Sequence, residues 1–319
     1  MKAVLSRQGI NPLNEIWSLW RLIRIYRKVR PDIVHHFTVK PVIYGSLAAH
    51  ILGIPYIINS ITGLGHLFID TGIITRILRG IAKLLYQISL RGTQVIFENP
   101  EDRDIFIRNR LLNTDQTHLI MGTGVDVEKF RPTTKNRSIP VVLFSSRILA
   151  TKGLPEFIDA ARILLKEKGL KARFAIAGTT DPGNPASISE SQIETWKQSG
   201  IVEWWGWQDD MPATLSQADI FCLPSYREGV PNALIEACAC GLPIVTTDVP
   251  GCRDVVTHGL NGFLVPMKDA TALADALEVL LTDSDLRDSM GKAGREIAVN
   301  RFSLARVNAE TLSIYKYWV

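Results

Sequence analysis

The chain has 319 residues, of which 46% are hydrophobic and 21% are charged. This composition is typical of a globular protein with room for two cores, and it excludes a disordered chain. The net charge of +4 is unevenly distributed. Residues 1–97 are basic, with twelve Lys/Arg against three Asp/Glu, and residues 139–319 are mildly acidic, with 17 Lys/Arg against 22 Asp/Glu. These parts are expected to be two domains with different partners.

The sequence predicts a cytoplasmic protein without a membrane span. Residues 41–69 carry no Lys, Arg, Asp or Glu, but Gly, Pro and Asn residues interrupt them repeatedly. Such a stretch is better explained by a helix, a buried strand and a glycine loop than by a spanning helix. The first nine residues lack the apolar region of a signal peptide, and the four cysteines have no paired spacing, which favours reduced thiols.

The N-terminal part alternates predicted helices and strands. Helices are expected at 17–29, 41–52 and 74–90, and strands at "DIVHHF", "PYIINSI" and "TQVIFEN". Such alternation is typical of parallel βαβ units. Residues 122–132 are then predicted to connect two domains, which we place at 1–138 and 139–319. The first is expected to be incomplete, because at most one strand precedes its first helix.

A second alternating series begins at "IPVVLFSSR". Its further strands are predicted at "ARFAIAG", "IVEWWG", "ADIFCLPS", "PIVTTD" and "GFLVP", and helices fill the chain from there to the end. The predicted fold class is therefore α/β, with two Rossmann-like, doubly wound domains facing across a cleft. The last helix, about 304–319, is expected to pack back on the first domain. Ligands bind such sheets beyond the carboxyl ends of the strands.

Two cations follow the first strand of the second series. Arg147 and Lys152 lie in "SSRILATKG", a loop between that strand and the next helix. Arg offers a planar fork and Lys a point charge, and together they suit a diphosphate. A single pair of surface cations would more often be solvated, so this loop is informative only in combination with a second signal.

The stretch "YREGVPNALIEACACGLPIV" supplies that second signal. It holds Glu228 in a loop and Glu236 on a predicted apolar helix that starts near Pro231. The free N–H groups of the first helical turn, from Asn232 and Ala233 onward, can bind an anion. A carboxylate on an apolar helix is costly unless it is paired, and Glu236 could accept two hydrogen bonds from a ribose diol.

Together these residues resemble the retaining glycosyltransferases of family 4, which have the GT-B fold. The similarity rests on Arg147-x4-Lys152, on Glu228-x7-Glu236 and on the flanking "ADIFCLPS" and "GLPIVTTDVPG", and it covers residues 139–302. It implies three catalytic residues, with Arg147 and Lys152 on the donor diphosphate and Glu228 on the sugar hydroxyls. Glu236 would bind the nucleotide ribose. The other donor-binding residues that it implies are Gly178, Gly229, Val230, Pro231, Asn232 and Ala233.

Residues 7–131 are similar in a narrower way to bacterial members of that family. The segment "PDIVHHFTVKPVIYGSLAAHILGIPYIINSITGLGHLF" looks like enzymes that extend undecaprenyl-diphosphate-linked sugars, including N-acetylgalactosaminyl and galactosyl transferases. Many relatives keep a histidine after the second strand, where this chain has Thr62 and Gly63, with His66 four residues after Thr62. His36, Thr62, Gly63 and His66 are candidates for the acceptor and sugar side, although an isolated histidine is more often structural.

The resemblance implies a metal-independent hexosyltransferase of polysaccharide or lipopolysaccharide O-antigen synthesis. It would move a hexose or N-acetylhexosamine from a UDP-sugar to a polyprenyl-diphosphate-linked saccharide, with no cofactor besides that co-substrate. The expected location is the inner face of the cytoplasmic membrane, bound peripherally to anionic lipid, and no nucleic acid is expected as a partner. The acid-free helix 74–90 is predicted either to lie on lipid or to pack on the sheet.

Two other functions remain open from the sequence. A nucleotide-sugar 2-epimerase shares the fold, but the basic, aromatic N-terminal part argues against it. An inactive, truncated donor-binding remnant is the other, because the glycine-rich first loop of the family is absent. Asp283-x-Asp285 resembles a metal-binding DxD motif, but it lies between two predicted helices, where helix capping explains it better.

Overall fold

The computed structural model describes residues 12–63, 73–134 and 137–316, with side chains described from residue 14 and, in the second range, from residue 80. The chain divides into two compact units. The first ends at Ile120 and also includes the chain from Thr311, and the second is Met121–Glu310. The structure thus divides the chain earlier than the predicted boundary at 138/139, because Val125 and Phe130 of the expected connection are buried in the core of the second unit.

The first unit contains a parallel sheet of four strands in the order β1-β2-β3-β4. Its elements are α1 (Pro12–Val29), β1 (Ile33–Phe37), a π-helical turn (Pro41–Gly45), α2 (Ser46–Leu52), β2 (Tyr56–Ile61), α3 (Ile73–Ser89), β3 (Gln94–Phe97), α4 (Pro100–Arg108) and β4 (Thr117–Leu119). Crossovers between parallel strands are right-handed, so α2, α3 and α4 lie on one face of this sheet. Within the described ranges its strand order does not reverse.

The second unit contains a parallel sheet of six strands in the order β10-β9-β8-β5-β6-β7. Its elements are β5 (Val141–Ser145), α5 (Leu154–Arg162), β6 (Arg173–Ala177), α6 (Glu190–Gln198), β7 (Glu203–Gly206), α7 (Met211–Ser216), β8 (Ile220–Leu223), α8 (Asn232–Ala239), β9 (Ile244–Thr247), α9 (Cys252–Val255), β10 (Gly262–Val265), α10 (Ala270–Thr282) and α11 (Ser284–Phe302). A last helix, α12 (Leu304–Lys316), begins in this unit and ends in the first.

Several short elements had no sequence prediction, namely α4, β4, α6, α7 and α9. Three of these helices begin with a side-chain cap that the sequence does contain. Asn99, Ser189 and Asp210 each accept a hydrogen bond from the backbone N–H three residues later, at 2.8, 3.3 and 3.1 Å. Such caps are strong start signals for helices that are too short to show a clear apolar period.

Candidate functional site

The order of the second sheet reverses at β5 and β8. These strands are neighbours, but β5 continues to β6 on one side and β8 to β9 on the other. The loops that leave their carboxyl ends therefore diverge and leave a crevice, which is where ligands bind in open α/β sheets. The loop after β5 carries Arg147 and Lys152, and the loop after β8 carries Glu228.

Lys152 and Glu228 form an ion pair at this edge of the sheet. Their side chains are 18% and 10% exposed, so both charges are largely withdrawn from water. The Tyr226 N–H also donates to the Thr151 carbonyl at 2.9 Å, which joins the two loops. The structure therefore brings together two predicted site residues that are 76 positions apart in the chain.

A glycine makes this approach of the two loops possible. Gly153 has a φ of +77°, and a Cβ atom there would lie 2.0 Å from the Pro224 carbonyl oxygen. Gly251 is similar, with a φ of +79° and a Cβ position 1.8 Å from the oxygen of Gly229, one of the predicted donor-binding residues. The backbone around Glu228 is thus held from two sides at distances that only glycine permits.

Arg147 lies in the same loop but has a different partner. Its guanidinium donates to the Asp181 carboxylate at 2.7 Å, and its side chain is 59% exposed. The segment after β6 fixes this geometry, because the Ile148 N–H bonds the Thr179 carbonyl and the Ala150 N–H bonds the Ala186 carbonyl. The guanidinium keeps donors that can bind an anionic ligand.

The helix α8 presents its first turn to the crevice. The sequence predicted Pro231 within that turn, but Pro231 is the N-cap, because its ψ of 116° is extended, and Asn232 is the first helical residue. The Leu234 N–H bonds the Pro231 carbonyl at 3.0 Å. Within the described part of the chain the N–H groups of Asn232 and Ala233 have no hydrogen-bond acceptor, as the prediction of an anion-binding turn requires.

Glu236 lies on α8 and lines a cavity of about 410 Å³. The cavity also contains Arg147, Gly178, Ala233 and Trp207, together with Ser145, Ser146, Ala177, Thr179, Gln208, Asp209 and Met211. Burial raises the pKa of Glu236 to about 7, against a smaller opposite effect of Lys129. Its carboxyl group is therefore balanced between its two protonation states near neutral pH, which fits a group that faces a ligand rather than a fixed cation.

Gly178 brings the cavity wall close to the loop after β5. It has a φ of +145°, and a Cβ atom there would be 1.9 Å from the Ser146 carbonyl oxygen. Val230 is buried in the core of the second unit, where its γ carbon lies near Gly122. These two residues shape the site through backbone and packing rather than through polar side chains.

Sequence reasoning missed Trp207 and Asp181. Trp207 follows β7, is 68% exposed and donates its indole N–H to Asp209 at 2.7 Å. A large aromatic ring exposed at the edge of a cavity is a common platform for a flat ligand. Its position directly after a strand of the same parallel sheet was a usable signal, because all such loops emerge at one edge.

The histidines at the end of β1 point in opposite directions, as the alternation of a strand requires. His36 is 5% exposed and makes hydrogen bonds to the Asn59 amide oxygen at 2.9 Å and to the Tyr26 hydroxyl at 2.8 Å. The Asn59 amide donates to Thr93, so its oxygen accepts from Nδ1 of His36, and the Tyr26 hydroxyl donates to Nε2. Both ring nitrogens of His36 are thus hydrogen-bonded inside the first unit, as expected of a structural histidine rather than of one that faces a ligand.

His35, which the sequence did not select, lies on the other face of that sheet. Its Nε2 is 2.7 Å from the Ser60 hydroxyl, and its Nδ1 bonds the Tyr315 hydroxyl on α12. Burial, with the neighbouring His36, lowers the pKa of His35 to about 4. Thr62 and Gly63 are half-buried directly after β2, and His66 lies outside the described residues.

The DxD-like motif has the structural role that the sequence favoured. Asp283 caps α11 by accepting a hydrogen bond from the Leu286 N–H at 2.9 Å. Among the described residues, no group of three or more His, Cys, Asp and Glu side chains has the spacing of a metal site. In the same set of residues, no helix has the length and hydropathy that crossing a bilayer requires.

Two family models match the chain. The one described as "Glycosyl transferases group 1" matches residues 126–297, and "Glycosyl transferase 4-like" matches residues 3–100. The first match lies within the second unit and the other within the first. The first match includes the predicted residues from Arg147 to Glu236.

Curated relatives align over most of the chain. An N,N'-diacetylbacillosaminyl-diphospho-undecaprenol α-1,3-N-acetylgalactosaminyltransferase from Campylobacter jejuni is 32% identical over 92% of this chain and 79% of its own length. An Escherichia coli UDP-Gal:α-D-GlcNAc-diphosphoundecaprenol α-1,3-galactosyltransferase is 27% identical over 94% of this chain and 79% of its own.

Solved structures of the same fold include sucrose-phosphate synthase from Thermosynechococcus elongatus, with a TM-score of 0.79 and 21% identity over 97% of this chain and 80% of that one. Anabaena Alr3699/HepE in complex with UDP has a TM-score of 0.77 and 21% identity over 95% of this chain and 84% of that one. The predicted fold class, GT-B with two parallel α/β domains, is confirmed.

Proposed function

The chain belongs to the glycosyl transferase group 1 family, and we propose that it moves a hexose or N-acetylhexosamine from a UDP-sugar to a polyprenyl-diphosphate-linked saccharide. The observation that carries this proposal is the edge of the second sheet, where two cations, an open helix N-terminus and two carboxylates meet at the reversal of strand order. The two curated relatives named above, one of which uses UDP-galactose by its name, support the choice of donor and acceptor.

In this proposal the donor lies along α8 with its diphosphate at the first turn. Arg147 and the N–H groups of Asn232 and Ala233 bind phosphate oxygens, and Glu236, nearly one helical turn beyond Ala233, binds the ribose with its carboxylate. Charge-assisted hydrogen bonds of this kind are about twice as strong as neutral ones. The cavity of about 410 Å³ beyond Glu236 receives the nucleobase.

Lys152 and Glu228 are proposed to exchange partners when the donor binds. Lys152 turns from the Glu228 carboxylate to the diphosphate, and Glu228 is released to accept hydrogen bonds from the hydroxyl groups of the transferred sugar. In this exchange each side chain leaves the ion pair only as it gains a contact with the donor. Neither is therefore left buried and unpaired, which would cost several kcal/mol.

Catalysis would then be mainly electrostatic. Arg147, Lys152 and the first turn of α8 stabilise the negative charge that grows on UDP as the glycosidic bond breaks. We propose retention of configuration by attack on the face from which UDP leaves, with the leaving phosphate accepting the proton of the acceptor hydroxyl. The side chains named here require no metal ion for this role.

The acceptor side is assigned to the first unit. Thr62 and Gly63 follow β2 at the carboxyl edge of its sheet, where ligands bind in parallel α/β folds, and His66 is proposed with them from the sequence. Because the acceptor carries a polyprenyl chain, the proposed place of work is the inner surface of the cytoplasmic membrane. The product would extend a lipid-linked glycan of a surface polysaccharide.

Substitution of Trp207 tests whether the nucleobase stacks on this ring. The Trp207→Ala variant is expected to bind UDP about tenfold to a hundredfold more weakly, because stacking a base on an aromatic ring contributes about 1–3 kcal/mol. Isothermal titration with UDP and with ribose 5-phosphate measures this. The loss should be confined to UDP, and equal weakening of both ligands would contradict the assignment.

Transfer of a radiolabelled sugar from UDP-sugars to a synthetic polyprenyl-diphosphate saccharide tests the function itself. Label is expected in the lipid fraction only when acceptor is present. Interconversion of the UDP-sugar without acceptor would indicate the 2-epimerase. Binding of UDP without either reaction would indicate an inactive donor-binding protein.

A further inference from the structure

The outward face of α1 changes from apolar to basic along the helix. Ile16, Trp17 and Trp20 are 65%, 53% and 48% exposed, which is unusual for such large apolar side chains. One and two turns later the same face carries the exposed Arg24, Arg27 and Lys28. The spacing of three or four residues places these side chains on a single stripe.

The two tryptophans are each covered by an arginine. The Arg21 guanidinium lies 4.3 Å from the ring centre of Trp17, and that of Arg24 lies 4.4 Å from Trp20. These cation–π contacts keep a positive charge beside each exposed ring. Tryptophan with arginine is the side-chain pair suited to the boundary between lipid headgroups and acyl chains, because the indole is amphipathic and the guanidinium binds phosphate.

The helix α3 adds an exposed apolar stripe. Ile81, Leu84 and Ile88 are 52%, 56% and 50% exposed, whereas Lys83 is turned toward α4, where its ammonium donates to Asn109 at 2.6 Å. The sequence offered two placements for this helix, and in the described part of α3 these apolar side chains point outward rather than onto the sheet. Its sheet-facing side is formed instead by buried residues such as Tyr86.

Both helices lie on the same side of the first unit. Tyr26 of α1 bonds His36, whose ring packs against Gly45 at the start of α2, so α1 shares the face of the sheet that carries α2 and α3. The helix α2 packs against both α1 and α3, and His50 bonds the Ser89 carbonyl at 3.0 Å. The outer surfaces of α1 and α3 therefore belong to one helical layer.

The positive charge of this layer favours an anionic partner. The sequences of α1, α2 and α3 contain a single acidic residue, Glu15, which is 13% exposed and bonded to Lys40 at 2.6 Å. A second copy of the chain would bring like charges together, which costs several kcal/mol. A surface of anionic lipid headgroups offers the opposite charge along the whole layer.

We propose that the outer face of α1, with the apolar stripe of α3, docks this protein on an anionic lipid bilayer. Trp17, Trp20, Ile81, Leu84 and Ile88 enter the interface, and Arg24, Arg27 and Lys28 contact lipid phosphates. The proposal deepens the proposed function by giving a lipid-linked acceptor its route to the enzyme, but docking itself is measurable without sugar transfer.

Sedimentation with vesicles tests the docking surface. The parent protein is expected to bind vesicles of equimolar phosphatidylglycerol and phosphatidylcholine, to lose binding in high salt and to bind pure phosphatidylcholine weakly. Arg24→Gln with Arg27→Gln should weaken binding about thirtyfold, given about 1 kcal/mol for each charge at the surface. Trp17→Ser with Trp20→Ser should weaken it at least tenfold.

The matched controls lie in the second unit. Lys166→Gln with Lys171→Gln removes the same charge from exposed positions and should leave vesicle binding unchanged. Equal loss in that variant, unchanged binding in the two α1 variants, or dissociation of a dimer by the tryptophan changes without vesicle binding would each overturn the proposal.

Sugar-transfer assays with two acceptors distinguish failure of this inference from failure of the proposed function. The tryptophan variant should keep transfer to a short-chain, water-soluble acceptor and lose transfer to an acceptor embedded in vesicles. A parent that binds vesicles but transfers to neither acceptor would refute the function and leave the docking surface supported. A parent that transfers to the short-chain acceptor but does not bind vesicles would refute the docking surface alone.

Discussion

Replacement of Lys152 by alanine is expected to lower kcat by about two orders of magnitude. The reason is that its ammonium group is proposed to stabilise charge on the departing diphosphate, and removal of one such donor typically costs a hundredfold or more. KM for the donor should change less, because the leaving group carries more charge in the transition state than in the ground state. Steady-state transfer rates over a range of UDP-sugar concentrations measure both quantities.

Two companion variants make this result interpretable. Lys171→Ala removes an exposed cation of the same unit and should behave as the parent. Lys152→Ala leaves Glu228 without its partner at 10% exposure, so the variant should unfold at a lower temperature, and its rate must be measured well below that temperature. A kcat near the parent value would refute the assigned role of Lys152.

Replacement of Glu236 by glutamine should have opposite effects on stability and on donor binding. Burial raises the pKa of this carboxyl from 4.5 to about 7 in the folded protein, so ionising it disfavours the folded state. The shift corresponds to roughly 3 kcal/mol, which the folded state loses at high pH. The amide carries no charge, so the Glu236→Gln variant should unfold at a higher temperature than the parent at pH 8.

The sign of this effect follows from the order of the two pKa values. Because the unfolded state releases the proton first, parent stability falls as the pH rises from about 4.5 to about 7 and is level above that. The variant should therefore match the parent near pH 4.5 and exceed it increasingly up to pH 7. Thermal unfolding of both proteins at a series of pH values measures this, and a constant difference across the range would contradict it.

Donor binding should change in the other direction. The ionised carboxylate accepts two hydrogen bonds from the ribose, whereas an amide oxygen accepts them without charge, so UDP is expected to bind the glutamine variant about tenfold more weakly. Parent affinity should also rise as the pH increases through 7, and the variant should lack that rise. The buried carboxylate thus lowers the stability of the fold but strengthens donor binding, which would explain its presence on an otherwise apolar helix.

The sequence determined the architecture of the second unit because local patterns encode it. Its six strands, the cations after β5 and the start of α8 were all predicted from apolar runs and loop residues within a few positions of one another. The short helices α6 and α7 were not predicted, since their apolar periods are too brief, although their capping residues Ser189 and Asp210 mark their starts.

The partners of the site residues could not be predicted from such patterns. Lys152 meets Glu228, and Arg147 meets Asp181, 34 positions away, only because β5 is placed between β6 and β8 in the sheet. Strand order is set by how the helices and strands pack as a whole. The same holds for Trp207, which joins the cavity through the position of β7 beside β6.

By itself the sequence located the residues that are proposed to carry the chemistry, since charge, backbone freedom and helix starts are properties of short segments. Only the tertiary structure decided which side of a strand or helix each side chain occupies. It buried His36 and turned His35 to the other face, and it left Trp17 and Trp20 of α1 exposed. The physical reason is that exposure depends on what packs against an element, and that contact joins segments far apart in the chain.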